Sequence, residues 1–254
     1  MDSSARFLGP YRLLRPWRDC DVGNVYLARR VGAAGFEKPV RVWQADWGTR
    51  PDAGFLDAVI SEAKRAAPLS HANIAHVLDL GVLDHGCFVV TELVSGATLG
   101  GVLQKAETLP WPAVTRIARE AARALRYAHT RRAPSGQFVR LIHGRLSPGR
   151  IVIGESDGVK VTGFGTSRAW RPRDPYRAPE LDRREPVDGR ADVFSLGMIL
   201  KRCLGRDAGP SALRRAITRA TEPYQEHRFT ACELEEELTD ILHGATVLRA
   251  QASP

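Results

Sequence analysis

The chain has 254 residues, 43% of them hydrophobic and 26% charged, a globular composition long enough to bury a full core as one large domain or two lobes. Its formal net charge is +8, from 37 Lys and Arg against 29 Asp and Glu, and only five of the 37 are Lys. That arginine bias reads first as codon composition; net charge bears on association and not on fold. Collagenous, disulfide-stapled and wholly disordered chains are excluded. The apolar runs are too short for a membrane span, and the start MDSSARFLGPYRLL has no basic, apolar and cleavage segments of a signal peptide. Cys20, Cys87, Cys203 and Cys232 form no CxxC pair, so neither a disulfide framework nor a zinc site is expected, and a reducing, cytoplasmic setting fits.

The first third reads as strands. Val25–Ala28 and Val40–Trp43 are joined by VGAAGFEKP. From Phe55 to Ala67, Leu56, Val59, Ile60, Ala63 and Ala66 recur at helical spacing until Pro68 stops the helix. Phe88–Val90 is a further strand, and the break at Ser95–Gly96 marks a lobe boundary. Trp111–His129 is an amphipathic helix with Arg116, Arg119, Arg123 and Arg126 along one side, either a solvated face or a dock for an acidic partner. Ile151–Ile153 and Val159–Val161 flank Asp157–Gly158, a hairpin signal. Helices follow at about 190–204, 211–221 and 230–242, and residues 243–254 read as a frayed tail. The divisions are thus an extension at 1–8, an N-lobe at 9–94, a C-lobe at 95–242 and the tail.

This order, with landmarks in sequence, resembles the bacterial Hanks-type (eukaryotic-like) serine/threonine protein kinases. LGPYRLLRPW and GNVYLARR resemble the kinase opening, and LSHANIAHVLDLG the stretch after the αC helix. HGRLSPGRIVI stands where HRDLxPxN belongs, GFG at 163–165 where DFG belongs, and YRAPE at 176–180 matches the APE element. ADVFSLGMIL resembles αF, and EPYQEHRFTA the closing RF element. The resemblance implies an α+β fold of two lobes: a small β-rich N-lobe with αC, and a larger helical C-lobe. Its αG region is reduced or missing, because only GRDAGP separates Leu204 from the next helix.

Phosphoryl transfer needs a Lys on the ATP phosphates, oxygen ligands for Mg²⁺ and an Asp facing the substrate hydroxyl. At those positions the chain departs from the family. Arg18 and Cys20 replace two glycines of the phosphate loop, Gly23 being kept. Trp43 stands at the Lys position, and Arg41 shares its strand face, so the two side chains are expected to fill the nucleotide site. Glu62 matches the αC Glu; either Arg41 replaces its Lys partner or it is solvated. Gly144 and Arg145 stand at the Arg and Asp of HRD, Arg150 at the metal-binding Asn and Gly163 at the Asp of DFG. His143, Phe164, Asp192, Glu180 and Arg228 keep the framework. The first two are expected to stack, Asp192 to hold the catalytic loop, and Glu180 to pair with Arg228. The short segment 166–177 and the reduced αG are expected to weaken peptide docking.

The expectation is a degenerate pseudokinase, not an enzyme, with no cofactor and no metal. It would be a scaffold or allosteric regulator in bacterial signalling that binds an active kinase or another signalling protein without Mg-ATP. Arg145, Arg150, Arg168, Arg171, Arg173 and Arg177 are candidates for an acidic or phosphorylated partner, or pair internally. The alternatives are a nucleotide-binding pseudokinase or an unconventional ATP enzyme. No nucleic-acid motif is present.

Overall fold

The computed structural model describes residues 6–17, 24–46, 53–84, 86–132, 136, 138–155, 158–166, 174–183, 186–205 and 209–251. The N-lobe is a six-stranded antiparallel sheet of β1 (Phe7–Leu8), β2 (Tyr11–Pro16), β3 (Asn24–Val31), β4 (Glu37–Asp46), β5 (Val77–Leu83) and β6 (Gly86–Glu92), in the order β1-β2-β3-β4-β6-β5. Alternation divides β4 between two cores. Val40 and Val42 join Tyr11, Ala28, Phe88 and Val90 on one face. Trp43 joins Val25, Cys87 and Val89 on the other, against Val59 and Ala63 of helix α1 (Ala53–Ala66). Residues 7–8, expected in an extension, form the first strand.

The expected boundary at 94/95 falls between β6 and β7 (Gly96–Thr98), which pairs with β8 (Ile151–Gly154), itself paired with β9 (Val159–Val161). Between β7 and β8 lie α2 (Leu99–Lys105) and α3 (Trp111–Thr130); after β9 come α4 (Pro179–Arg183), α5 (Arg190–Leu204), α6 (Ser211–Ala220) and α7 (Ala231–Gln251). Thr98 caps α2, its hydroxyl accepting from the Gly101 N–H at 3.0 Å. The buried stripe of α3 (Val114, Ala118, Leu125) meets α5 (Val193, Leu196, Leu200), α6 (Leu213, Ile217) and α7 (Leu234, Leu238) in one core.

Two differences from the sequence reading have physical causes. Residues 243–251 continue α7 instead of fraying. Part of the arginine stripe on α3 faces α7, where Arg126 donates to Glu235 at 3.1 Å and Arg123 lies 3.4 Å from it. Arg119 and Arg123 also pair with Glu120. The connection 205–210 passes from α5 to α6 with no helix assigned among its described residues, as expected for a reduced αG.

The lobes are joined where the 73–75 segment meets β9. The Ala75 N–H donates to the Val161 carbonyl and the Val161 N–H to that of Asn73, while Asn73 Nδ2 reaches the Val159 carbonyl at 2.8 Å. Lys160 adds an ion pair to Glu92 at 2.6 Å. Burial works to raise the Glu92 pKa, but Lys160 and His76 outweigh it and hold the carboxylate below its usual range.

Beneath the cleft, Asp192 is fully buried at the start of α5. Its carboxylate accepts from the backbone N–H of His143 at 2.8 Å and of Gly144 at 2.7 Å, and from His129 Nε2 at 2.8 Å. Burial alone would raise its pKa; the bond from His129 and the neighbouring histidines lower it. Gly144 has φ +69, a backbone conformation suited to glycine. His143 stacks edge-on against Phe164, centroids 4.7 Å apart, and its Nε2 bonds the Thr162 carbonyl at 3.0 Å. Lower down, Arg228 grips Glu180 through both terminal nitrogens, at 2.7 and 2.9 Å. It also donates to the carbonyls of Glu222, Pro223 and Arg190. All three expected framework contacts are present.

Arg228→Ala leaves the Glu180 carboxylate buried without its partner, and thermal unfolding is expected to reveal a loss of about 3–5 kcal/mol. A pH dependence follows from His143, whose pKa burial pushes down to about 4. An unfolded His titrates near 6.5, so stability is complete above that value and falls as pH drops through the window toward 4. From about pH 7 to about pH 5 the loss is about 2 kcal/mol, or about 5 °C in Tm, and His143→Phe is expected to remove that component.

Candidate functional site

The cleft is bounded by β4 and α1 above and by the loop 143–150 and the 162–166 corner below. The register of β4 puts Trp43 opposite Val25 and Val89, and Arg41 opposite Leu27 and Thr91. The expectation that both side chains fill the nucleotide site needs correction. The indole of Trp43 lies in the N-lobe core with Val25 and Val89, against Val59 and Ala63 of α1. Of the two, Arg41 is the one that crosses between the lobes. Its Nη1 donates to Thr162 Oγ1 at 3.1 Å, and its guanidinium lies 5.8 Å from the Trp17 ring. Arg15 approaches the same ring at 5.9 Å, so Trp17 joins the cation cluster on the upper wall. Glu62 is buried on the cleft side of the lobe, in α1.

On the lower side, Arg145 and Arg150 are 8% and 6% exposed. Both are therefore buried and not on an open surface. The turn at 148–150 presents Arg150 to the corner, and Thr162 N–H and Oγ1 both donate to the Arg150 carbonyl, at 2.8 and 3.3 Å. Arg150 Nη1 reaches the Gly163 carbonyl at 3.4 Å and Thr166 Oγ1 at 3.3 Å. Gly163 has φ +93, and a Cβ there would fall 1.8 Å from Arg150 Nη1. Any side chain at 163 must displace the guanidinium.

Arg177 pairs with Asp182 at 2.6 Å and donates to the Leu181 carbonyl, so it has internal work. Arg18, Cys20, Gly23, Arg168, Arg171 and Arg173 lie outside the described residues. Sequence reading singled out Thr166 as a hydroxyl of the short segment but missed Trp17, Thr162, Lys160 and His129 as site residues. Only the position of Thr162, directly before GFG, offered a signal.

The resemblance implies ATP with a divalent metal at this corner. The residues present do not fit that ion. Metal ligation there calls for oxygen donors, whereas the space beside Gly163 holds a guanidinium. A dication about 4 Å from that charge is repelled by about 8 kcal/mol at an effective dielectric of about 20. Among the described residues, no group of three or more His, Cys, Asp and Glu could hold a metal.

Comparison with known proteins extends these observations. The chain is 29% identical to the tyrosine-protein kinase MasK of Myxococcus xanthus, over 96% of this chain and 40% of that protein. It is 30% identical to the serine/threonine-protein kinase PknB of Mycobacterium leprae, over 70% of this chain and 30% of that protein. The chain therefore spans less than half the length of either relative. Among solved structures, a double-mutant form of the Mycobacterium tuberculosis PknI kinase domain superposes with a TM-score of 0.75 at 25% identity, covering 94% of this chain and 98% of that one. These relations overturn the expectation that the chain is not an enzyme, because the relatives bear the names of protein kinases. No helix among the described residues is long and apolar enough to cross a membrane. The protein kinase domain family matches residues 23–242, most of the chain and both lobes, and the chain belongs to that family.

Proposed function

We propose that this protein is a bacterial signalling domain of the protein kinase family that works in the cytoplasm by engaging a protein partner. The partner is an active kinase or another signalling protein, and the domain serves it as a scaffold or allosteric regulator without Mg-ATP in the cleft. The observation that carries this reading is Arg41, whose side chain spans from β4 to Thr162 through the space between the lobes. In this reading a side chain of the protein joins the lobes where a nucleotide would. The short 205–210 connection supports it further, since the reduced αG leaves a different C-lobe surface for docking. The arginines at 168, 171 and 173 are the candidate contacts for an acidic or phosphorylated segment of that partner.

Thermal unfolding with millimolar ATP, with and without Mg²⁺, tests the cleft directly. No change in Tm is expected in either condition. A rise of about 5–10 °C that requires Mg²⁺, the signature of ligand near ~100 times its Kd, overturns the reading.

A further inference from the structure

The carbonyl oxygen of Gly163 collects three donors. They are Thr166 Oγ1 at 2.9 Å, the Thr166 N–H at 3.3 Å and Arg150 Nη1 at 3.4 Å. Thr166 Oγ1 in turn accepts from Arg150 Nη1 at 3.3 Å. One guanidinium therefore faces both ends of the 163–166 turn. The two contacts are long for hydrogen bonds, so attraction between a buried charge and two oxygen dipoles is their larger part. The same arginine is tied through its backbone carbonyl to Thr162, and Thr162 to Arg41 of the N-lobe. A continuous polar path thus runs from β4, through Thr162 and Arg150, to Thr166 at the start of the 166–177 segment.

We infer that Arg150 is a positioning residue, a cation built into the chain that holds the first turn of the 166–177 segment in place where a divalent ion would otherwise supply the charge. Three features converge on it. The guanidinium is nine-tenths buried, with only 6% of the residue exposed. The space it fills is the space a side chain on residue 163 needs, with 1.8 Å between that Cβ and Nη1. Its side chain contacts both ends of one short turn, the Gly163 carbonyl and Thr166 Oγ1, whose backbone has positive φ at Gly163 and Gly165, +93 and +83. A charge that arrives with the fold cannot be withdrawn by loss of a ligand. The 163–166 turn is therefore held in the ligand-free protein. This rests on the metal-free reading of the corner given above.

Amide hydrogen exchange on the full chain, with neither nucleotide nor metal present, tests the inference in three proteins: wild type, Arg150→Met and Arg150→Lys. The wild type is expected to protect the Thr166 amide. Arg150→Met, which fills similar space without charge, is expected to speed its exchange about tenfold or more, and Arg150→Lys to restore most of the protection. Equal protection in wild type and the Met variant overturns the inference. So does equal loss in the Met and Lys variants, since a shape-filling role would then account for both. If the Met variant does not fold, Thr166→Val removes the hydroxyl that Arg150 faces. Faster exchange at residues 163–166 is then expected, and an unchanged rate overturns the inference. Because no nucleotide is present, a protein that bound Mg-ATP would overturn the functional reading and leave this one to stand or fall on its own.

Discussion

Asp192 is the point on which the site depends. A carboxylate with no access to water is tolerated only when its oxygens are satisfied, and here two backbone N–H groups and an imidazole do this. The demand runs both ways. Two consecutive N–H groups of the 143–144 turn converge on one carboxylate, which fixes where the loop begins. Its far end then delivers Arg150 to the corner. His143, locked by the same bonds, stacks on Phe164 and carries the order of the loop to the GFG turn. His129 extends the network to α3, so the helical core and the cleft share one buried hub.

Above that hub, Arg41 and Arg150 both reach the 162–166 corner. Gly163 has no side chain, and the space beside it is filled by Arg150. Arg41 stands on a strand face that also points Trp43 toward α1, and only the arginine has the length and polarity to cross to Thr162. The indole packs among Val59, Ala63 and Val89. The two residues share a periodicity and have opposite fates.

The net charge of +8 looks less like an adhesive surface once its partners are traced. Arg123 and Arg126 fasten α3 to α7, Lys160 fastens β9 to Glu92, Arg228 is spent on Glu180, and Arg65 donates to the carbonyls of Val139 and Arg140. Exposed pairs of this kind contribute little each. The buried Arg228–Glu180 pair differs, because neither member can be removed without stranding the other's charge.

The sequence by itself determined the architecture. Strand and helix periodicities placed β3, β4, α1, α3 and α5 to within a few residues, since those patterns record which face each element buries. Spaced landmarks located the loop, the GFG corner and the framework residues, because such contacts depend on residue types at fixed intervals. It also named Arg41, Trp43, Arg145, Arg150 and Gly163 as cleft positions expected to depart from the family. Tertiary structure decided what those departures do. Whether Trp43 lay in the cleft or the core depended on the packing of α1. Whether Arg150 faced solvent or the 163–166 turn depended on a backbone with positive φ. Whether the α3 arginines were free depended on Glu235, more than a hundred residues away along the chain. A side chain's direction and its partner come from segments distant in sequence, and no local pattern encodes the distance between them.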